Sequence, residues 1–178
     1  MNKNIFVLLF ALVTLFSVKS YSQNIPVDEE TKLITYKEII PMSGSKTELY
    51  NRALEWINKA YKNPLEVTKV KNVANGVIEL THRIEIYNIE KEVKRAAGIV
   101  DYDLKLELKE GRYRYTFTDF ALHQATKMPI EKWLDKTDRK YDPVFEQYLA
   151  QVDSHIKELI ATLKSAMLPP QEPKKDEW

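Results

Sequence analysis

A chain of 178 residues, 30% charged and 44% apolar, has the material for one self-supporting core and too little for two well-cored domains. Its 27 basic and 26 acidic residues argue against broad electrostatic capture of nucleic acid. The absence of cysteine excludes both a disulfide framework and the acylation site of a lipoprotein.

Residues 1–22 read as a cleavable signal segment. Lys3 precedes an apolar run from Ile5 to Val18, and Ser20 and Ser22 suit a peptidase site that leaves Gln23 first. The run is short for a bilayer crossing, so no transmembrane anchor is expected after cleavage. Losing Lys3 and Lys19 turns the formal charge from +1 to −1 over the remaining 156 residues. The expected product is soluble and periplasmic or secreted, with a single α+β domain over 23–167.

Residues 33–40 read as a strand, which Pro41 and Gly44 interrupt. Ser45 and Glu48 have capping-box spacing, and Leu49, Ala53, Trp56, Ile57, Ala60 and Tyr61 recur at helical intervals until Asn63-Pro64. Residues 65–73 and 76–87 read as two strands around Asn75-Gly76. In the second, Ile78, Leu80, His82, Ile84 and Ile86 share one side, with Glu79, Thr81, Arg83 and Glu85 on the other. The charged stretch 88–98 reads as a mobile connection or a short helix. A hairpin follows around residues 109–112. It sets Val100, Tyr102, Leu104, Leu106 and Leu108 in one row, matched by Tyr113, Tyr115 and Phe117 in the return arm. Asp101, Asp103, Lys105 and Glu107 oppose the first row, and Arg112, Arg114 and Thr116 the second.

Beyond it, Pro129, Ile130, Trp133 and Leu134 suggest a short packed helical turn. Asp142 is placed to cap a long helix over about 142–167, with Pro143 at its first position. Val144, Tyr148, Val152, Ile156, Leu159 and Leu163 form its apolar stripe, widened by Phe145, Leu149 and Ile160. Residues 168–178 read as a polar, proline-containing tail. The order is β-α-β-β-β-β-α: an α+β arrangement with an antiparallel sheet whose apolar face the helices cover.

The stretch ITYKEIIPMSGSKTELYNRALEWINKAYKN, with ELKEGRYRYTFTDF downstream, resembles the domain-of-unknown-function family numbered 4468, found in exported Bacteroidota proteins. The resemblance spans about 33–122. It implies a fold like that of the TATA-binding protein, with a curved sheet, and implies neither DNA binding nor any catalytic residue.

No constellation for chemistry stands out. His82 reads as a hydrogen-bonded core histidine, and His123 and His155 lie whole elements away, so no metal or other cofactor is expected. Asp101 and Asp103 share a strand side, which is the basis for the enzyme alternative, a carboxylate-dependent envelope hydrolase. MSGSK is a helix cap and lacks the spacing of a nucleophile elbow. Arg112 and Arg114 alternate with Tyr113 and Tyr115, so period 2 separates bases from aromatics and argues, with export, against nucleic acid.

The leading expectation is noncatalytic binding of an envelope protein or extracellular polymer through the wet sheet face or the 88–98 loop. Its candidate residues are Thr81, Arg83, Glu85, Lys105, Glu107, Arg112 and Arg114. The alternative is a lipid or small apolar ligand between sheet and helices, lined by Trp56, Tyr61, Tyr113, Tyr115, Phe117 and Tyr148. Homo-oligomerisation is left open.

Overall fold

Alternating side chains build a six-stranded antiparallel sheet, and two amphipathic helices lie against its apolar side. The structure, a computed structural model, describes residues 25–170. The expected leader 1–22 and the tail from residue 171 lie outside the described residues. Strand β1 (Tyr36–Pro41) leads into helix α1 (Lys46–Ala60), then a helical turn α2 (Pro64–Val67) and β2 (Thr68–Asn72). Two long strands, β3 (Val77–Glu90) and β4 (Val93–Lys109), are followed by β5 (Arg112–Leu122). The chain closes with β6 (Met128–Pro129), a 3-10 helix (Ile130–Leu134) and helix α3 (Val144–Ala166). The sheet order is β1-β5-β4-β3-β2, with β6 on the end of β5.

Helix α1 begins as its spacing predicts. The Ser45 hydroxyl accepts from the Glu48 amide at 3.2 Å, and the Glu48 carboxylate accepts from the Ser45 amide at 2.7 Å. Helix α3 starts at the expected cap too: the Asp142 carboxylate takes the Val144 amide at 2.9 Å, and Pro143 already has helical angles. In β3 and β4 the predicted core row is buried, except His82: Ile78, Leu80, Ile84, Ile86, Val100, Tyr102, Leu104, Leu106 and Leu108. Tyr113, Tyr115 and Phe117 face them across the β4–β5 register. Trp56 and Ile57 of α1 and Val152, Ile156 and Leu163 of α3 close the core above. Removing any one of these large side chains from water contributes about 1.5–3 kcal/mol.

Of four local departures, two correct an expectation and two are features that no expectation covered. Residues 88–98 are neither a connection nor a helix. They extend the β3–β4 hairpin, turning at Lys91-Glu92 with φ of 45° and 69°. That two-residue turn takes the left-handed backbone usually supplied by Asn-Gly, so the composition gave no turn signal. Leu65–Val67 belong to α2, because Pro64 opens a helical turn there. Asp119, at φ 57°, makes a bulge opposite Tyr102, which shifts the parity of β5 and brings Phe120 into the core. The fourth is β6, too short to leave a periodic signal.

Candidate functional site

Helices cover only one side of the sheet, and strand register arranges the other side into cross-strand rows. Ile39, Arg114, Glu107 and Val77 form one row; Lys37, Thr116, Lys105 and Glu79 the next; Thr118, Asp103 and Thr81 a third. Opposite charges meet along them. Lys105 reaches Glu79 at 2.7 Å, which raises the lysine pKa, and Arg114 pairs with Glu107. The Thr81 hydroxyl donates to Asp103 at 2.7 Å. Asp101 takes a 2.6 Å contact from the His123 Nδ1 and lies 3.9 Å from Arg83.

The seven residues expected on a binding face therefore do share one face. They split into a group around Arg112, Arg114 and Glu107 and a group around Thr81, Arg83 and Glu85, with Lys105 between them. The first group borders a shallow hollow of about 90 Å³ beside Ile39, which is 57% exposed. Thr81 and Arg83 border a larger groove of about 340 Å³, which Lys62, Asn63, Glu66, Val67, Lys69, His82 and Asp101 complete. It lies where β2 gives way to α2. Nothing in the period of β2 and β3 separately announces it, because it depends on where β2 starts.

Asp101 and Asp103, the carboxylates behind the hydrolase alternative, are each held by neighbours on the same face, His123 and Arg83 for one and Thr81 for the other. Among the described residues no cluster of three or more His, Asp or Glu is placed to hold a metal ion.

The six residues expected to line an apolar pocket fall into two places. Trp56, Tyr61, Tyr113, Tyr115 and Phe117 are themselves core, each 4% exposed or less. Tyr148 stands apart with Trp133 and Phe145 and donates its hydroxyl to Asn88. Trp56 alone of the six borders a groove of about 520 Å³ between α1 and α3, with Lys59, His155, Leu159 and Thr162. Its indole donates to the Thr162 hydroxyl at 3.1 Å.

His82 departs from its expectation. Its ring meets Tyr61 and Tyr102 edge-on at 5.0 and 6.1 Å, but Nδ1 is buried without a hydrogen-bond partner among the described residues. Burial, reinforced by His155 and Arg83, holds its pKa below the ordinary imidazole value; burial does the same to His155. Between these histidines the Tyr61 and Tyr102 hydroxyls approach to 3.3 Å, and burial pushes Tyr61 up to about 12.

One polar group was missed. Asp153 is buried within the apolar stripe of α3, where its carboxylate accepts from the Tyr36 hydroxyl at 2.9 Å and from Lys157 at 2.7 Å. The signal was present: Asp153 lies four residues after Leu149 and three before Ile156, on the buried face. Nearby, the Glu38 carboxylate is held below the usual range by Lys164 and by the Tyr115 hydroxyl, both at 2.7 Å.

Among the described residues no helix is long and apolar enough to cross a membrane. Two solved structures share the fold. One is a TBP-like protein from Parabacteroides distasonis, 15% identical, with a TM-score of 0.63 over 80% of this chain and 96% of that one. The other is a DUF4468 family protein from Bacteroides ovatus, 14% identical, with a TM-score of 0.64 over 83% and 94% of the two chains. At such identities the likeness concerns fold alone. No curated protein matches the sequence. Residues 36–123 match the family described as domain of unknown function (DUF4468) with TBP-like fold, so the chain carries a DUF4468 domain whose curved antiparallel sheet is backed by helices on one side.

Proposed function

We propose that the chain is an exported, noncatalytic binding domain of the cell envelope that engages a protein or extracellular polymer through the helix-free face of its sheet. The observation that carries this reading is the face itself: a cross-strand array in which charges alternate and pair, with exposed Ile39 beside Arg114. Such a surface is polar, spans several strands and is unobstructed by the helices. The leader at 1–22 supports the location, since removing it delivers the remaining chain to the periplasm or the medium. Catalysis is not part of the proposal, because Asp101 and Asp103 are committed to neighbours on the same face.

Proximity labelling in native cells tests this reading. The unaltered chain is compared with one carrying Lys105→Glu, Arg112→Glu and Arg114→Glu. These positions are partly exposed, and their pairs are worth about 0–1 kcal/mol each, so the variant keeps its fold. The labelled partner set changes if the face is the binding surface; an unchanged set rejects it.

A further inference from the structure

The outer edge of β3 is covered at both ends and open in the middle. At its start, β2 pairs with it from Val77 to Leu80. At its far end, two glutamines one turn apart on α3 take the place of a strand. Gln151 accepts from the Tyr87 amide at 2.9 Å and donates to the Tyr87 carbonyl at 2.8 Å; Gln147 does the same for Ile89 at 3.0 and 3.2 Å. Residues 81–86, between these covers, have no partner strand on that side among the described residues. Backbone direction alternates along a strand, so the amides and carbonyls of Arg83 and Glu85 share the outward direction of Tyr87 and Ile89. An unpaired stretch of this kind is a template for an added strand.

The groove of about 340 Å³ flanks this open edge. Its cations are Lys62, Lys69 and Arg83, and its carboxylates are Glu66 and Asp101. Asp101 contacts His123 and lies 3.9 Å from Arg83, and Glu66 accepts from the Asn63 side-chain Nδ2 at 3.2 Å. With three cations to two carboxylates the groove complements a negatively charged side chain better than a positive one, and Val67 adds an apolar wall.

We infer that the β3 edge between Leu80 and Tyr87 is a strand-addition site for an extended, acidic peptide segment. The inference rests on the binding-domain reading and narrows it from a face to an edge. The peptide extends the sheet through backbone hydrogen bonds at Arg83 and Glu85. An acidic side chain of the peptide enters the groove toward Lys62 and Lys69.

The test uses the full chain and a labelled heptapeptide of alternating valine and glutamate. Two isomers carry N-methyl groups on one or the other alternate set of amides. Expected are saturable binding, retention of binding by one methylated isomer alone, and slowed amide exchange at Arg83 and Glu85. A valine–lysine peptide binds at least about tenfold more weakly, and Lys62→Glu with Lys69→Glu weakens the glutamate peptide by at least about tenfold. Thermal melting verifies that this variant is folded.

Four results overturn the inference. They are no saturation at about 1 mM peptide, equal effects of both methylation patterns, protection confined to the Lys105–Arg114 region, and protection of Arg83 without peptide that follows dimer formation by a second copy of this chain. If the peptide fails while Lys105→Glu, Arg112→Glu and Arg114→Glu still alter the labelled partners, the edge is wrong and the binding-face reading stands.

Discussion

Asp153 is the one polar or charged residue buried in the core among the described residues. A carboxylate inside an apolar stripe is tolerated because the Tyr36 hydroxyl and Lys157 both bond to it, and Lys157 keeps its ammonium exposed. Replacing Asp153 with Ala leaves the Tyr36 hydroxyl buried and unpaired, at an expected cost of about 1–3 kcal/mol in urea unfolding. Adding Tyr36→Phe removes the orphan, so the double variant is less destabilised than the sum of the two single ones. The two half-buried histidines, His82 and His155, set a pH dependence. Their folded pKa values lie below the ordinary value, so the unfolded chain takes up protons first as pH falls, and stability decreases as pH drops through about 6.5. The groups facing them are Glu66 and Arg83 near His82 and Glu158 near His155. The depressed carboxylates Glu38, Glu48 and Glu146 lose their contribution only below the ordinary glutamate value, in a separate acidic window. A His82→Gln, His155→Gln variant, melted at pH 7 and pH 5, shows a smaller drop than the parent chain.

Helices and hairpins were legible to the extent that their termini carry local chemistry. The capping box of α1 is such a case, and Ser45→Ala is expected to cost about 0.5–2 kcal/mol by denaturant titration. Residues 88–98 are the opposite case. Their turn relies on Lys91 and Glu92 in left-handed conformations, and cross-strand pairing such as Asn88 with Arg95 holds them there. A left-handed L-residue costs about 1–2 kcal/mol, so Lys91→Asn with Glu92→Gly should stabilise the chain by about 1 kcal/mol in the same titration. Gly76 shows why a glycine signal at the other hairpin was readable. Its φ is +64°, and a Cβ there would meet the Leu108 carbonyl oxygen at 2.2 Å, so both backbone freedom and close approach demand it.

For the molecule as a whole, period 2 assigned the faces of β3, β4 and β5, and with them the shared face of Lys105, Glu107, Arg112 and Arg114. The grooves were beyond its reach, because each forms where separate elements meet: α2 and the start of β2 against β3 and β4, or α1 against α3. The aromatic set illustrates the limit. Alternation identified Tyr113, Tyr115 and Phe117 as inward, but inward side chains fill a core as readily as they line a cavity, and here they are core. Gln147 and Gln151 carry no periodic signal, because their role depends on the β3 edge packed beside them. Their replacement by Ala is expected to accelerate amide exchange at Tyr87 and Ile89 while leaving exchange in β4 near the parent rate.

Helix α3 grips both margins of the sheet. Asp153 and Lys164 hold Tyr36 and Glu38 of β1, while Gln147 and Gln151 hold the far end of β3. Because α3 is the last of these elements in the chain, synthesis leaves both margins unlatched until it emerges. Under the export proposed above, the chain passes the membrane before it locks into shape, and a latch that arrives last keeps the preceding strands from setting early. The same order carries a hazard: a chain interrupted before Pro143 has its strands but no latch, and its bare margins join those of its neighbours.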